Sequence, residues 1–336
     1  MTDVPERYKR QARFHGIGAE GQNELAMKRV LLVGLGALGA AVSDQLVRAG
    51  VSLIIVDRDY VEVTNLQRQT LYTEQDAADE TPKAIAASER LQAINRDVAV
   101  DAHIADVSWD WLRPLPHIDL VLDATDNVET RLLLNDFALE REIPFLFASC
   151  VGAYGMNYTV MPGQAPCLRC LMRHLPLAGQ TCATAGVVAP IVQHVASRQA
   201  VETLKYLTGR HEKMERRLLI EDMWENQSQR LDVERLVDVS CPSCQQQEYP
   251  SLVPNRQQTA LLCGRDVVQV RRSIDGLDGL LDQLRRAEIV VKQTPFTLEW
   301  RWRGHRMLLF KDGRVLVHGV DDAHVAVAMV DECLGR

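Results

Sequence analysis

The 336-residue sequence has no apolar run long enough to cross a bilayer. It has no basic excess either. Its 45 Asp and Glu outnumber 38 Lys and Arg, giving a formal net charge of −7, which argues against a general nucleic-acid or membrane-surface role. The opening residues, Met1-Thr2-Asp3-Val4-Pro5-Glu6-Arg7, lack the apolar core of a signal peptide. Internal repeats and low-complexity tracts are absent. What remains is a globular composition, 46% hydrophobic and 25% charged, and a cytoplasmic location is expected. The length suits one large α/β domain plus a small one.

Cysteine, by contrast, is abundant. Four of the eight fall in two C-x-x-C pairs, Cys167/Cys170 and Cys241/Cys244; the others are Cys150, Cys182, Cys263 and Cys333. In a reducing compartment such pairs read as metal ligands before disulfides. Four thiolates suit a closed tetrahedral zinc site with no position open to water, hence structural. An iron–sulfur cluster or two redox pairs are the alternatives.

The front half alternates strand and helix. Residues 30–33, 53–56, 98–104, 120–122 and 144–148 are short, mostly apolar runs, the look of strands buried on both faces in a mostly parallel sheet. A helix is expected from Thr81 as N-cap with Pro82 at its first position, and another after Asp126-Asn127. This is a doubly wound, Rossmann-like pattern. A strand over 156–161, a loop-rich stretch and a long helix over 188–207 ending at Thr208-Gly209 follow. The polar segment 245–258 then separates a domain of residues 1–250 from a small α+β domain, 259–336. In the latter, Arg303-Gly304 and Asp312-Gly313 read as hairpin turns, and 274–288 and 321–334 as helices.

The chemistry begins with Gly34-Leu35-Gly36-Ala37-Leu38-Gly39 after the first strand. Gly34, Gly36 and Gly39 permit a tight turn and let backbone N–H groups approach phosphate at a helix N-terminus. Asp57, ending the next strand, can accept ribose hydroxyls. Alone these do not separate NAD, FAD, SAM and ATP. The string Asn65-Leu66-Gln67-Arg68-Gln69 is unexpected in a nicotinamide enzyme, whereas a triphosphate needs cations. Lys83, near a helix N-terminus where the dipole gives a cation no help, is either a phosphate ligand or a solvated side chain. Asp126 lies at another strand end, where a carboxylate could hold Mg²⁺ or cap the next helix. His174 has no assignment, and Tyr154 and Tyr158 read as packing.

In order, Arg7-Tyr8-Lys9-Arg10-Gln11, the glycine loop with Asp57, Asn65–Gln69, Pro82-Lys83, Asp123-Ala124-Thr125-Asp126-Asn127, both cysteine pairs and Thr181-Cys182 resemble the ThiF/MoeB/HesA family of ubiquitin-activating-type adenylyltransferases. The resemblance covers residues 1 to about 250. It implies that the C-terminal glycine carboxylate of a small ubiquitin-like sulfur carrier, ending in Gly-Gly, attacks the α-phosphate of ATP to give an acyl-adenylate and pyrophosphate. By similarity, Asp57 holds the ribose, Arg68 and Lys83 the phosphates, Asp126 Mg²⁺, and the cysteine pairs Zn²⁺; Asn65 and Gln69 line the site. Arg10 would reach into the partner's site, which requires a homodimer. In ThiF-like members the cysteine matching Cys182 can form an acyl-persulfide with the carrier; the alternative is an idle thiol. A cysteine desulfurase or rhodanese is a further candidate partner, and no nucleic acid or membrane is expected. Thiamine thiazole and molybdopterin are the pathways favoured. A related activity on a peptide C-terminus or tRNA base is an alternative. An NAD-dependent oxidoreductase would leave Arg68, Lys83 and the cysteine pairs without a purpose.

Overall fold

The computed structural model describes residues 4–164, 166–175, 185–254, 259–261, 267–271, 277–286, 289–294, 296–310 and 313–333. The chain divides into two units, Met1–Pro254 and Asn255–Arg336. Among the described residues no helix is long and apolar enough to cross a membrane.

The first unit runs α1 (Lys9–Ala12), α2 (Gly18–Met27), β1 (Arg29–Val33), α3 (Ala37–Ala49), β2 (Ser52–Asp57), α4 (Glu74–Ala78), α5 (Lys83–Ile94), β3 (Val100–Ile104), α6 (Trp109–Leu112), β4 (Leu120–Asp123), α7 (Val128–Glu140) and β5 (Phe145–Val151). It continues through β6 (Tyr154–Val160), α8 (Leu168–Met172), α9 (Ala189–Leu207), β7 (Leu218–Asp222) and β8 (Gln227–Leu231). The eight strands form one sheet in the order β3-β2-β1-β4-β5-β6-β7-β8. The first five are parallel and the last three antiparallel.

Both faces of the parallel part are covered, which is why its strands read as unbroken apolar runs. Val30, Leu32, Leu53 and Ile55 pack with residues of α3, α5 and α9. Leu31, Val33, Ile54 and Val56 pack with residues of α7 and α8 on the other face. The chain reverses its lateral direction between β1 and β4. That switch point opens a crevice at the carboxyl ends of the strands, where ligands of such sheets bind.

The start of α5 differs from the sequence expectation. Pro82, not Thr81, is the N-cap, and no side chain caps the helix. The cause is a local zipper. Tyr60 bridges Pro82 in antiparallel fashion, and Val61 N–H donates to the Thr81 carbonyl at 2.9 Å. Residues 81 and 82 are thereby held extended, and the helix begins at Lys83. Downstream, Asn127 rather than Asp126 is the N-cap of α7, accepting from Thr130 N–H at 2.8 Å.

Among the described residues, the second unit holds a six-stranded sheet with neighbouring strands antiparallel. β9 (Thr259–Leu261), β10 (Val267–Arg271), β11 (Val291–Gln293), β12 (Thr297–Trp302), β13 (His305–Phe310) and β14 (Arg314–His318) lie in the order β11-β12-β13-β14-β10-β9. Arg303 and Gly304 connect β12 to β13 with φ of +49° and +84°, the two left-handed positions of a type I′ hairpin. Helices α10 (Leu277–Arg286) and α11 (Ala323–Cys333) bury Leu281, Leu284, Met329 and Val330 against Val268, Trp300, Leu309 and Val317. Asp312 lies outside the described residues.

Candidate active site and cysteine centre

The glycine loop links β1 to α3. Gly34 has φ +91°, and a Cβ there would meet the Ala124 carbonyl oxygen at 2.7 Å; one on Gly39 would meet the Gly34 carbonyl oxygen at 1.9 Å. The fold therefore requires both glycines. Gly36 is different. The nearest atom to a Cβ there is Gln69 Nε2 at 3.9 Å, so its small size leaves open space at the N-terminus of α3. The Tyr72 hydroxyl donates to the Leu35 carbonyl at 2.6 Å and fixes the loop from below. Burial, followed by Asp57, pushes that phenol well above its ordinary pKa, so it stays a neutral donor.

Asp57 closes the loop from β2. Its Oδ2 accepts Leu35 N–H at 2.6 Å and its Oδ1 accepts Asp59 N–H at 2.7 Å. Burial raises the carboxyl above its usual range, and the Lys83 ammonium opposes that rise. Lys83 is 4% exposed, so it is no solvated lysine. Its Nζ lies 3.3 Å from Asp59 Oδ2, as a buried ammonium requires.

The polar string forms a short turn that begins with the 3₁₀ segment Val63–Asn65. Buried Asn65 donates to Glu62 Oε2 at 3.0 Å and accepts from Arg68 Nη2 at 3.1 Å; Arg68 Nη1 also donates to the Thr64 carbonyl at 3.0 Å. Gln69 is buried beside Gly36, and its Oε1 has no hydrogen-bond partner among the described residues. A buried acceptor without a protein partner is open to a water, an ion or a ligand.

Two aspartates at the end of β4 have opposite surroundings. Asp123 is fully buried. Its Oδ2 faces Arg131 Nε at 3.2 Å, and its Oδ1 accepts from Thr125 N–H at 2.8 Å and from the Thr125 hydroxyl at 2.7 Å. Burial raises its carboxyl, with Arg131 opposing. Asp126 is exposed. Arg58, following Asp57, pairs with Asp106 Oδ1 at 3.2 Å. Burial works against its charge, but Asp106, Asp59, Asp126 and Asp57 together outweigh that effect and raise its pKa. The strand ends thus hold an acidic rim around two cations, Arg58 and Lys83.

The N-terminal motif divides by role. Arg7 Nη1 donates to the Ile94 carbonyl at 2.8 Å, the Tyr8 hydroxyl accepts from Asn95 Nδ2 at 2.7 Å, and Gln11 Nε2 donates to the Ala49 carbonyl at 3.0 Å. These anchor the segment, while Arg10 is exposed on α1.

The Sγ atoms of Cys167, Cys170, Cys241 and Cys244 all lie within 4.8 Å of one another. Cys167 and Cys241 approach to 3.7 Å, and Cys170 and Cys244 to 3.6 Å. Hydrogen bonding to Cys244, then burial, raises the Cys167 thiol strongly; accepting from Cys167 is the main cause that lowers Cys244 to about 5. Four mutually facing sulfurs fit a tetrahedral thiolate-bound metal. Asn135 and Asp136 on α7 hold both halves. Asn135 Oδ1 accepts Leu168 N–H at 2.9 Å, within the first pair, and Asp136 Oδ1 accepts from the Ser243 hydroxyl at 2.6 Å, within the second. Arg169 Nη2 lies 2.7 Å from Asp136 Oδ2. Cys182 lies outside the described residues. His174 is exposed, and the Tyr158 hydroxyl donates to the Pro166 carbonyl at 2.8 Å, a packing role.

A sequence profile of the ThiF family matches residues 8–243, from the anchored N-terminal motif into the second cysteine pair. The chain belongs to the ThiF family. This member is 44% identical over 335 residues to the sulfur carrier protein ThiS adenylyltransferase of Bacillus subtilis (strain 168), covering 98% of this chain and 99% of the relative. It is 40% identical over 209 residues to the molybdopterin-synthase adenylyltransferase of Escherichia coli (strain K12), covering 60% of this chain and 82% of the relative. A crystal structure of E. coli MccB with ATP has the same fold, with a TM-score of 0.59 at 20% identity over 72% of this chain and 75% of that one.

Sequence reasoning missed Arg58, Asp59, Tyr72, Asp106, Asn135 and Asp136. For Asp59 a signal existed, an Asp-x-Asp pattern at a strand end. Nothing local marks Asp136 among 45 acidic residues.

Proposed function

We propose that this ThiF-family chain adenylylates the C-terminal glycine carboxylate of a ubiquitin-like sulfur-carrier protein. A carboxylate oxygen bonds to the α-phosphorus of ATP, and the bond from that phosphorus to the bridging oxygen breaks, giving acyl-AMP and pyrophosphate. The observation that supports this reading is a set of contacts at the strand ends: Asp57 accepts from the glycine loop, Lys83 pairs with Asp59, Gln69 lies beside Gly36, and Asp126 acts on Arg58. Similarity along the full length to a ThiS adenylyltransferase supports a ThiS-like carrier and the thiamine (thiazole) pathway; a MoaD-like carrier and molybdopterin come next.

Asp57 would hold the ribose, and Arg68 and Lys83 the phosphates. Asn65 and Gln69 would line the site, with Gly36 leaving room for phosphate against the N-terminus of α3. The attacking carboxylate is already ionised at neutral pH, so no general base is required. Catalysis is then positioning and charge neutralisation. Asp126 is an exposed oxygen donor suited to Mg²⁺, which supplies charge to the phosphates when bound. The four cysteines would hold Zn²⁺ structurally. Arg10 would act across a homodimer, its exposure leaving it available to a second copy. Cys182 would carry the sulfur that later displaces AMP, delivered by a cysteine desulfurase or rhodanese. A cytoplasmic setting keeps the free thiols reduced.

Incubation with ATP, Mg²⁺ and a carrier ending in Gly-Gly should release pyrophosphate and add one adenylyl group to the carrier. Absence of both products with ThiS-like and MoaD-like carriers alike would reject this reading.

A further inference from the structure

Three contacts of Asp59 bear on Asp57 and Lys83. Its N–H donates to Asp57 Oδ1 at 2.7 Å. Its carbonyl accepts Lys83 N–H at 2.9 Å. Its carboxylate Oδ2 faces Lys83 Nζ at 3.3 Å. Asp57 in turn accepts Leu35 N–H from the glycine loop at 2.6 Å. The loop, Asp57, Asp59 and Lys83 are thus one continuous chain of hydrogen bonds, buttressed by the Tyr60–Pro82 bridge.

Lys83 has no local reason to point inward. It is the first residue of α5, where the helix dipole disfavours a cation, and burial of its ammonium costs free energy without a carboxylate nearby. The side chains of the pair are unequally covered, 5% exposed for Lys83 and 24% for Asp59. The carboxylate is thus partly open to solvent while the ammonium it pairs with is buried.

We propose that Asp59 is a positioning residue that aims Lys83 at the nucleotide phosphates. The proposal rests on the site binding ATP as described above. Asp59 does not touch the reacting atoms; it acts through Lys83. The carboxylate keeps the ammonium charged and oriented before ATP arrives, so less ordering remains to be done on binding.

The test is equilibrium binding of ATP and of adenosine to the full-length chain and its variants Asp59→Asn, Asp59→Glu, Lys83→Met and Asp59→Asn/Lys83→Met. Asp59→Asn preserves both backbone bonds and removes only the charge. It should weaken ATP binding about tenfold, because Lys83 loses the anion that keeps its ammonium charged and oriented. Adenosine binding should stay within about twofold, as for a substitution that leaves the nucleoside contacts intact. Asp59→Glu should recover part of the ATP affinity, and Asp59→Asn should cost clearly less once Lys83 is Met, only its weaker influence on Arg58 remaining. ATP affinity that is unchanged or tighter in Asp59→Asn, or a loss of equal size in the Lys83→Met background, would overturn the proposal. So would an equal loss for adenosine, which marks a merely structural role. These readings need no carrier, so failure to find carrier adenylylation leaves them decisive. A wild-type chain that binds no ATP refutes both the proposal and the adenylyltransferase reading.

Discussion

The Ser243 hydroxyl, inside the second cysteine pair, donates to Asp136 Oδ1 on α7 at 2.6 Å. Asp136 is fully buried, and its other oxygen holds Arg169 at 2.7 Å and Ser251 N–H at 2.9 Å. One carboxylate thus ties a helix packed on the eight-stranded sheet to both cysteine segments.

Asp136→Ala therefore removes the partner of a half-buried guanidinium and loosens the cysteine centre. Metal affinity should fall about 10- to 100-fold, as for other groups that orient ligands from outside the coordination sphere. Competition with a zinc chelator measures this directly. Affinity equal to wild type would show that the cysteines are held without Asp136.

The four sulfurs converge on one point although the two pairs lie 74 residues apart. Freshly purified protein should contain about one zinc per chain. Chelation should lower the thermal midpoint, because a bound metal would add a link between two segments far apart in the chain. Zinc-free protein with an unchanged midpoint would contradict the assignment.

Asp123 and Asp126 should separate stability from activity. Asp123→Ala strands Arg131 as an unpaired buried charge and should cost about 3–5 kcal/mol in urea unfolding. Asp126→Ala, at an exposed position, should change stability by less than about 0.5 kcal/mol while removing pyrophosphate release. Equal destabilisation by both would mean that Asp126 also serves the fold.

Cys182→Ala should leave adenylylation intact and block sulfur transfer to the carrier. Retention of both steps would show the thiol to be idle.

Much of the fold was legible because strands buried on both faces leave unbroken apolar runs, as at Val30 to Val33 and Leu53 to Val56. The start of α5 was misread by one residue because the Tyr60–Pro82 pairing is tertiary, and cap propensity alone does not see it. Glycine requirements at 34 and 39 were legible in the motif. Lys83 was ambiguous in sequence because its burial depends on Asp59, twenty-four positions away. Asp136 was invisible for the same reason. A carboxylate acquires such a role only through partners that the fold brings to it, here Ser243 and Arg169.

The central claim is tested most directly by carrier-dependent ATP–pyrophosphate exchange in the wild type, Arg68→Ala and Asp126→Ala. The account predicts exchange in the wild type that requires the carrier, and none above background in either variant. Near-normal exchange in both variants would contradict it.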